Sequence, residues 1–418
     1  MGVSGDRLRE FSGKSTGQIV DALTSYDAAD DAPYAEMLRG LSGALSVINS
    51  ADEAQRWWLF RMLDTPRPLQ ERIALFWHNH FATSTGKVRQ AALVSRQIDI
   101  FRRLGLGNFR DLLLAVTKDA AMLLWLDGSN NKRGRPNENY AREVMELFTL
   151  GIGNYGEKDV QELARAFTGW QVLDEAVEFF PAAFDDGEKK ILGQRGKFNL
   201  EGAIDLLLKQ PAAPRFIARK LLKEFVHPHP LSEHVDHYAA RLVHYRWEIK
   251  PVLKEMLVSR LFFSEYSWRS KIKSPCEVVV GSILALGAVR DTTMARDAMN
   301  GMGQTLLAPP SVKGWDGEEV WINANTVLQR YNFGLDLVLK LNAKSLMGVL
   351  EKRGVKTAGG VVDYFGSVLL DGRIDATARA RFLEYLGGGK FVLNLAGVEG
   401  SVRGLVHLMM CMPEYQLA

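Results

Sequence analysis

Cysteine is nearly absent from this chain of 418 residues: Cys276 and Cys411 are the only two, far apart and outside any metal-ligand spacing. That excludes a disulfide framework, a zinc ribbon and a Cys-x-x-Cys redox pair. No uninterrupted apolar stretch of about 18 residues occurs, so no membrane-spanning helix is expected. The opening Met1-Gly-Val-Ser-Gly-Asp-Arg-Leu has neither the charged start nor the apolar run of about 7–15 residues of a secretory signal, which by itself points to the cytoplasm. Charge of one sign is also missing. Lys and Arg total 52 against 49 Asp and Glu, a formal net charge of +3, so no nucleic-acid partner is called for. No Gly-x-Gly-x-x-Gly follows an expected strand, and neither a Walker pattern nor His-Glu-x-x-His occurs. What remains is ordinary globular composition, 47% hydrophobic and 24% charged.

The periodicity is helical. Ser50-Ala-Asp-Glu53 reads as a helix start, and apolar residues at helical spacing then run to the Pro66/Pro68 break. Further helices are expected from Leu69 to Phe81, Gln90 to Leu104, Phe109 to Asp127, Asn137 to Leu150 and Lys158 to Thr168, with an exposed basic loop between Asp127 and Pro136. A small β-hairpin is expected at about 171–192, and four helical stretches between Leu200 and Leu286. The Gly-, Pro- and Trp-rich stretch at about 301–323 reads as an ordered loop packed on the core. The fold class is therefore mainly α: a large multi-helix domain over 1–324, with the hairpin inserted, and a smaller C-terminal helical lobe over 325–418.

Three groups of residues can carry chemistry. At 100° per residue the Asn137–Leu150 helix gathers Glu138, Asn139, Arg142, Glu143 and Glu146 on one polar stripe. Such a stripe is either a salt-bridge ladder or the wall of a polar cavity. His78 and His80 have a spacing common among metal ligands, but on a continuous helix they point about 200° apart, and His80 falls on the apolar face with Leu69, Ile73, Phe76 and Trp77. No metal and no cofactor is expected. Of the five histidines between His227 and His244, His234, His237 and His244 share a helical face with Arg241 and read as a poor metal site. Lys313, Trp315, Trp321 and Asn323, in the ordered loop, place cation, indole and amide together as a saccharide-binding surface would, although indoles packed beneath the loop are the commoner use of such a pattern.

Phe76-Trp-His-Asn-His-Phe-Ala-Thr-Ser84, Asn137 to Gly151, Asp159 to Trp170, Lys189-Lys-Ile-Leu-Gly193, Pro309-Pro-Ser-Val-Lys-Gly-Trp315 and Trp321-Ile-Asn323 follow one another as do the motifs of a known family. Over nearly its whole length the chain resembles the bacterial "domain of unknown function 1800" family. The resemblance implies an exported protein, periplasmic or extracellular, and a partner from a second family resembling sulfatase or phosphatase folds, whose genes often lie alongside. Many members carry His where this chain has Phe148, and His-Asp where it has Phe184-Asp185, which weakens a metal site carried over by analogy.

Two functions follow as expectations. One is an accessory or binding protein of an exported system, directed at a glycan or other polymer, with binding at Asn137, Glu138, Asn139, Lys313, Trp315, Trp321 and Asn323. The other is a hydrolytic enzyme in which Glu143 or Glu146 is the general base, Arg142 orients a carboxylate or anion, and His78 or His80 shuttles a proton. The two missing histidines favour the binding role.

Overall fold

The computed structural model describes residues 10–25, 50–393 and 397–418. The Met1–Leu8 opening weighed above for an export signal lies outside them. Ser50 starts the helix Ala51–Asp64 by accepting a hydrogen bond from Glu53 N at 3.2 Å. Pro68, at a helix-opening position where its missing N–H costs nothing, starts Pro68–His80. This helix is buried on almost every side, from Ile73 through His80 with Asn79 alone half-buried. It lies beside Ala91–Leu104, and the Trp77 indole donates to Gly105 O at 2.8 Å.

The stretch expected as one helix from Phe109 to Asp127 is two, Phe109–Thr117 and Ala120–Trp125. Asp119 divides them by capping the second, its Oδ2 accepting from Met122 N at 2.9 Å. The Asn137–Leu150 helix is also shorter and less regular than expected: Asn139–Glu143 is α-helical and Val144–Thr149 continues as a π-helix. In place of one hairpin there are two, Trp170–Leu173 with Ala176–Phe179 and Lys189–Ile191 with Gln194–Gly196. Each turns through two residues of positive φ, Asp174–Glu175 and Leu192–Gly193, the geometry that matches strand twist. Asp185–Gly187 lies between the two hairpins and leads into the second.

Five helices follow where four were expected: Leu200–Leu208, Ala212–Phe225, Ser232–His244, Ile249–Val258 and Pro275–Leu286. The extra break, at Tyr245–Glu248, contains Arg246 and Trp247 at positive φ. Thr292–Gly301 and the irregular 302–323 segment lead to Ala324–Lys340. That helix packs on Val398–Met410 and also on Pro275–Leu286 and Thr292–Gly301, so the C-terminal helices share a core with the body before them. Among the described residues no helix is long and apolar enough to cross a membrane.

Candidate functional site

A cleft of about 320 Å³ opens where four distant stretches meet: the C-terminal half of Pro68–His80, the last turns of Ala212–Phe225, the 271–277 segment and the 304–321 loop. The loop is fixed to the first helix by Asn79, whose Oδ1 accepts from Trp315 N at 2.7 Å. Gly314, at φ +84°, lets the backbone come this close, since a Cβ there would collide with Asn79 Oδ1 and O. Phe76, Trp315 and Trp321 supply the aromatic surface of the cleft, and both indoles are only 6% exposed.

The charged lining is unevenly paired. Arg72 bridges Glu224 at 2.7 Å and Glu277 at 2.6 Å. Burial alone would raise the Glu277 carboxyl, but Arg72, then Lys271 and the Ser274 N–H (2.8 Å) outweigh it and hold it well below the usual carboxylate range. Glu318, at φ +51°, accepts from Ile272 N at 3.2 Å, and its carboxyl is pushed up by burial. Lys220, Lys223 and Lys313 also line the cleft, and among the described residues none has a carboxylate within ion-pair distance. Burial, with Lys223 beside it, pushes the Lys220 ammonium below the ordinary lysine range, and its Nζ lies over the face of the Phe216 ring at 5.7 Å.

His80 lies in the same lining, 4% exposed, stacked near Phe76 and edge-on to Trp77. Its Nε2 is 3.1 Å from the Phe148 carbonyl, a terminal acceptor of the π-helix without an intrahelical partner. A carbonyl only accepts, so Nε2 carries the proton and Nδ1 holds a lone pair. Nδ1 has no hydrogen-bond partner among the described residues. Burial and the nearby Lys220 cation push the imidazole well below its ordinary value, so it is neutral.

Of the residues singled out in the sequence, the cleft brings together His80, Lys313, Trp315 and Trp321. His78 is not among its lining residues: fully buried, it meets Trp58 and Trp315 edge-on at 5.5 and 5.6 Å, with neither ring nitrogen hydrogen-bonded. The polar stripe is a half-exposed ladder. Arg142 pairs with Glu157 at 2.6 Å and Glu138 at 3.4 Å, and Glu146 accepts from the Tyr155 hydroxyl at 2.9 Å. Glu143, raised by burial and by Glu146, feels Lys313 at the cleft rim but does not line it. Asn137 caps locally, its Oδ1 accepting from Asn139 N at 3.0 Å, and Asn139 reaches Asp127 at 3.4 Å. Asn323 caps Ala324–Lys340 through Asn325 N and Thr326 N. The expected cavity shared by both histidines and the glutamates is therefore not formed, because the two rings leave the helix on opposite sides. Among the described residues no three His, Cys, Asp or Glu side chains are grouped to hold a metal ion.

Lys220, Arg72, Glu277 and Glu318 were not found by sequence reasoning. The Arg72 set pairs across more than 150 residues and leaves no local signature. Lys220 does leave one, on the same side of Ala212–Phe225 as Phe216 and Glu224, beside the buried Ile217 and Leu221.

No curated protein and no solved structure shows significant similarity to the chain. The model of the family described as a protein of unknown function, DUF1800, matches residues 1–417, and the chain belongs to that family.

Proposed function

We propose that this chain is a binding protein of an exported bacterial system and that its cleft takes an acidic saccharide or the end of an anionic polymer. The observation that carries this reading is Lys220, a partly buried cation facing an aromatic-walled cleft with no carboxylate within ion-pair distance among the described residues. Holding an ammonium out of water without a counter-charge costs several kcal/mol in a dry site, roughly what a ligand carboxylate would restore. Phe76, Trp315 and Trp321 give the cleft an apolar aromatic wall, and Lys223 and Lys313 extend the cationic surface along the opening. The partner resembling sulfatase or phosphatase folds would then act on the polymer that this chain holds.

Calorimetric titration tests the reading directly. Trigalacturonate should bind, its fully methyl-esterified form should bind about tenfold or more weakly, and neutral maltotriose should not bind measurably. Equal affinity for the charged and esterified trimers would overturn it. A hydrolytic alternative is favoured by one observation, the left-handed backbone and raised carboxyl of Glu318 in the same cleft, the combination expected of a general acid. Shortened oligomers in the titration mixtures, absent with Glu318→Gln, would establish that alternative.

A further inference from the structure

We infer that Lys220 and His80 form one subsite for a hydroxy acid, with the ligand's carboxylate against Lys220 Nζ and a neighbouring hydroxyl donating to His80 Nδ1. The inference rests on the cleft being a site for acidic saccharides and specifies which part of the sugar is read. Its geometry is a cleft lined by two side chains of opposite demand, Lys220, whose Nζ has only the Phe216 ring face, and His80, whose Nδ1 is buried at the cleft wall. Lys220 needs an acceptor, and among the described residues it has no hydrogen bond or ion pair. Nδ1 of His80 needs a donor, because the Phe148 carbonyl fixes the proton on Nε2 and Nδ1 is left without a partner.

The two demands narrow the ligand. A simple carboxylate would satisfy Lys220 but would turn its lone pairs towards that of Nδ1. An ammonium donor would satisfy Nδ1 but would be repelled by Lys220, which lies close enough to disfavour protonation of the imidazole. A neutral donor held beside an anion satisfies both, and the free 4-hydroxyl next to the carboxylate-bearing carbon at the non-reducing end of a 1,4-linked uronate chain supplies that pair. Lys220 is a flexible four-carbon stem and can shift as the ligand enters, whereas His80 is held by Phe148, Phe76 and Trp77. Charge recognition therefore sits on the mobile partner and hydroxyl recognition on the rigid one.

The same chemistry occurs in sugar acids and in small hydroxy acids, so the test uses both. Citrate and tricarballylate differ only by the hydroxyl, and trigalacturonate represents the polymer. Expected for the full chain is a preference for citrate over tricarballylate of about tenfold, the usual worth of one hydrogen bond. His80→Gln keeps an N–H for the Phe148 carbonyl and should abolish this preference while weakening trigalacturonate by about tenfold. Lys220→Met should weaken both acids together. Should His80→Gln fail to fold, nitrogen-15 histidine spectra of the wild-type protein give the same answer, since citrate should shift the Nδ1 resonance of His80 and tricarballylate should not. Equal affinity for the two acids, or an unmoved Nδ1 resonance, overturns the subsite even where trigalacturonate binds. Citrate preference without trigalacturonate binding supports the subsite and overturns the saccharide reading, and binding of none of the three overturns both.

Discussion

His78 and His80 are two positions apart on one helix, and both are withdrawn from water, yet only one is hydrogen-bonded. His80 donates to Phe148, whereas His78 has two aromatic edges and no polar partner. Edge-on ring contacts recover only part of what water offered the two ring nitrogens. Burial accordingly pushes His78 down to about 3, far below its ordinary value. In the unfolded chain it would titrate near 6.5, so between about 6.5 and 3 the unfolded state binds the extra proton, and stability is complete above that window and lost as pH falls through it. Over 1.5 pH units below 6.5 one such group removes about 2 kcal/mol. Asp119 works in the opposite direction, because burial raises it to about 6 and its folded form gains a proton on acidification. The prediction is therefore a difference between proteins: the fall in urea stability from pH 7.5 to pH 5.0 should be about 2 kcal/mol smaller in His78→Phe than in the parent chain. An identical fall would mean that His78 titrates normally. The apolar spacing of Ile73, Phe76 and Trp77 made the burial of His80 legible in the sequence. The burial of His78 was not legible, because a helix covered on both sides has no polar face to mark it.

At the scale of elements, two kinds of ion pair look alike in sequence and differ in the structure. The ladder Glu138–Arg142–Glu157 stands at a surface, where water screens it and two long side chains must be ordered to form it. Glu71 is the contrary case. It is fully buried, accepts from Arg102 at 2.8 and 2.9 Å and from the Trp58 indole at 2.8 Å, and so joins Ala51–Asp64, Pro68–His80 and Ala91–Leu104 at one carboxylate. Burial raises Glu71, but Arg102 outweighs it and keeps the group ionised below the usual range. Arg102→Met would leave that charge only Arg61, at 3.4 Å, and the Trp58 indole, and should cost about 3 kcal/mol, read as a lowered urea midpoint, whereas Arg142→Ala should leave the midpoint close to the parent's. Comparable shifts in the two variants would contradict this division. The helices themselves were legible from periodicity and caps. The irregular end of Asn139–Thr149 was not, since a π-turn satisfies a carbonyl pattern set by tertiary packing, here by His80 meeting Phe148 O.

Over the whole molecule, the cleft depends on residues far from it in sequence. Its 271–277 wall is held by the end of the chain: Lys271 N donates to Ala418 O at 3.1 Å, Ala418 N to Lys271 O at 2.8 Å, and Lys273 N to Gln416 O at 2.8 Å. Arg330, from Ala324–Lys340, ties Gln416 to Lys273 O, and the buried Tyr415 hydroxyl meets Ser282 Oγ at 2.5 Å. Lys271 in turn reaches the Glu224 carbonyl, beside the Arg72 bridge. None of these links has a local sequence signature, which is why Lys313, Trp315 and Trp321 could be picked out beforehand but the opposite wall could not. They also make a strong prediction about Pro413–Ala418, which lines no part of the cleft. Ending the chain at Met412 removes three backbone hydrogen bonds and a buried tyrosine, a loss of about 4 kcal/mol if the rest stays folded. It also frees the 271–273 segment from its pairing, so trigalacturonate affinity should fall by about tenfold or more while the far-ultraviolet helical signal persists. A truncated chain that keeps its helices and binds as tightly as the parent would show that the cleft is assembled without its C-terminal brace.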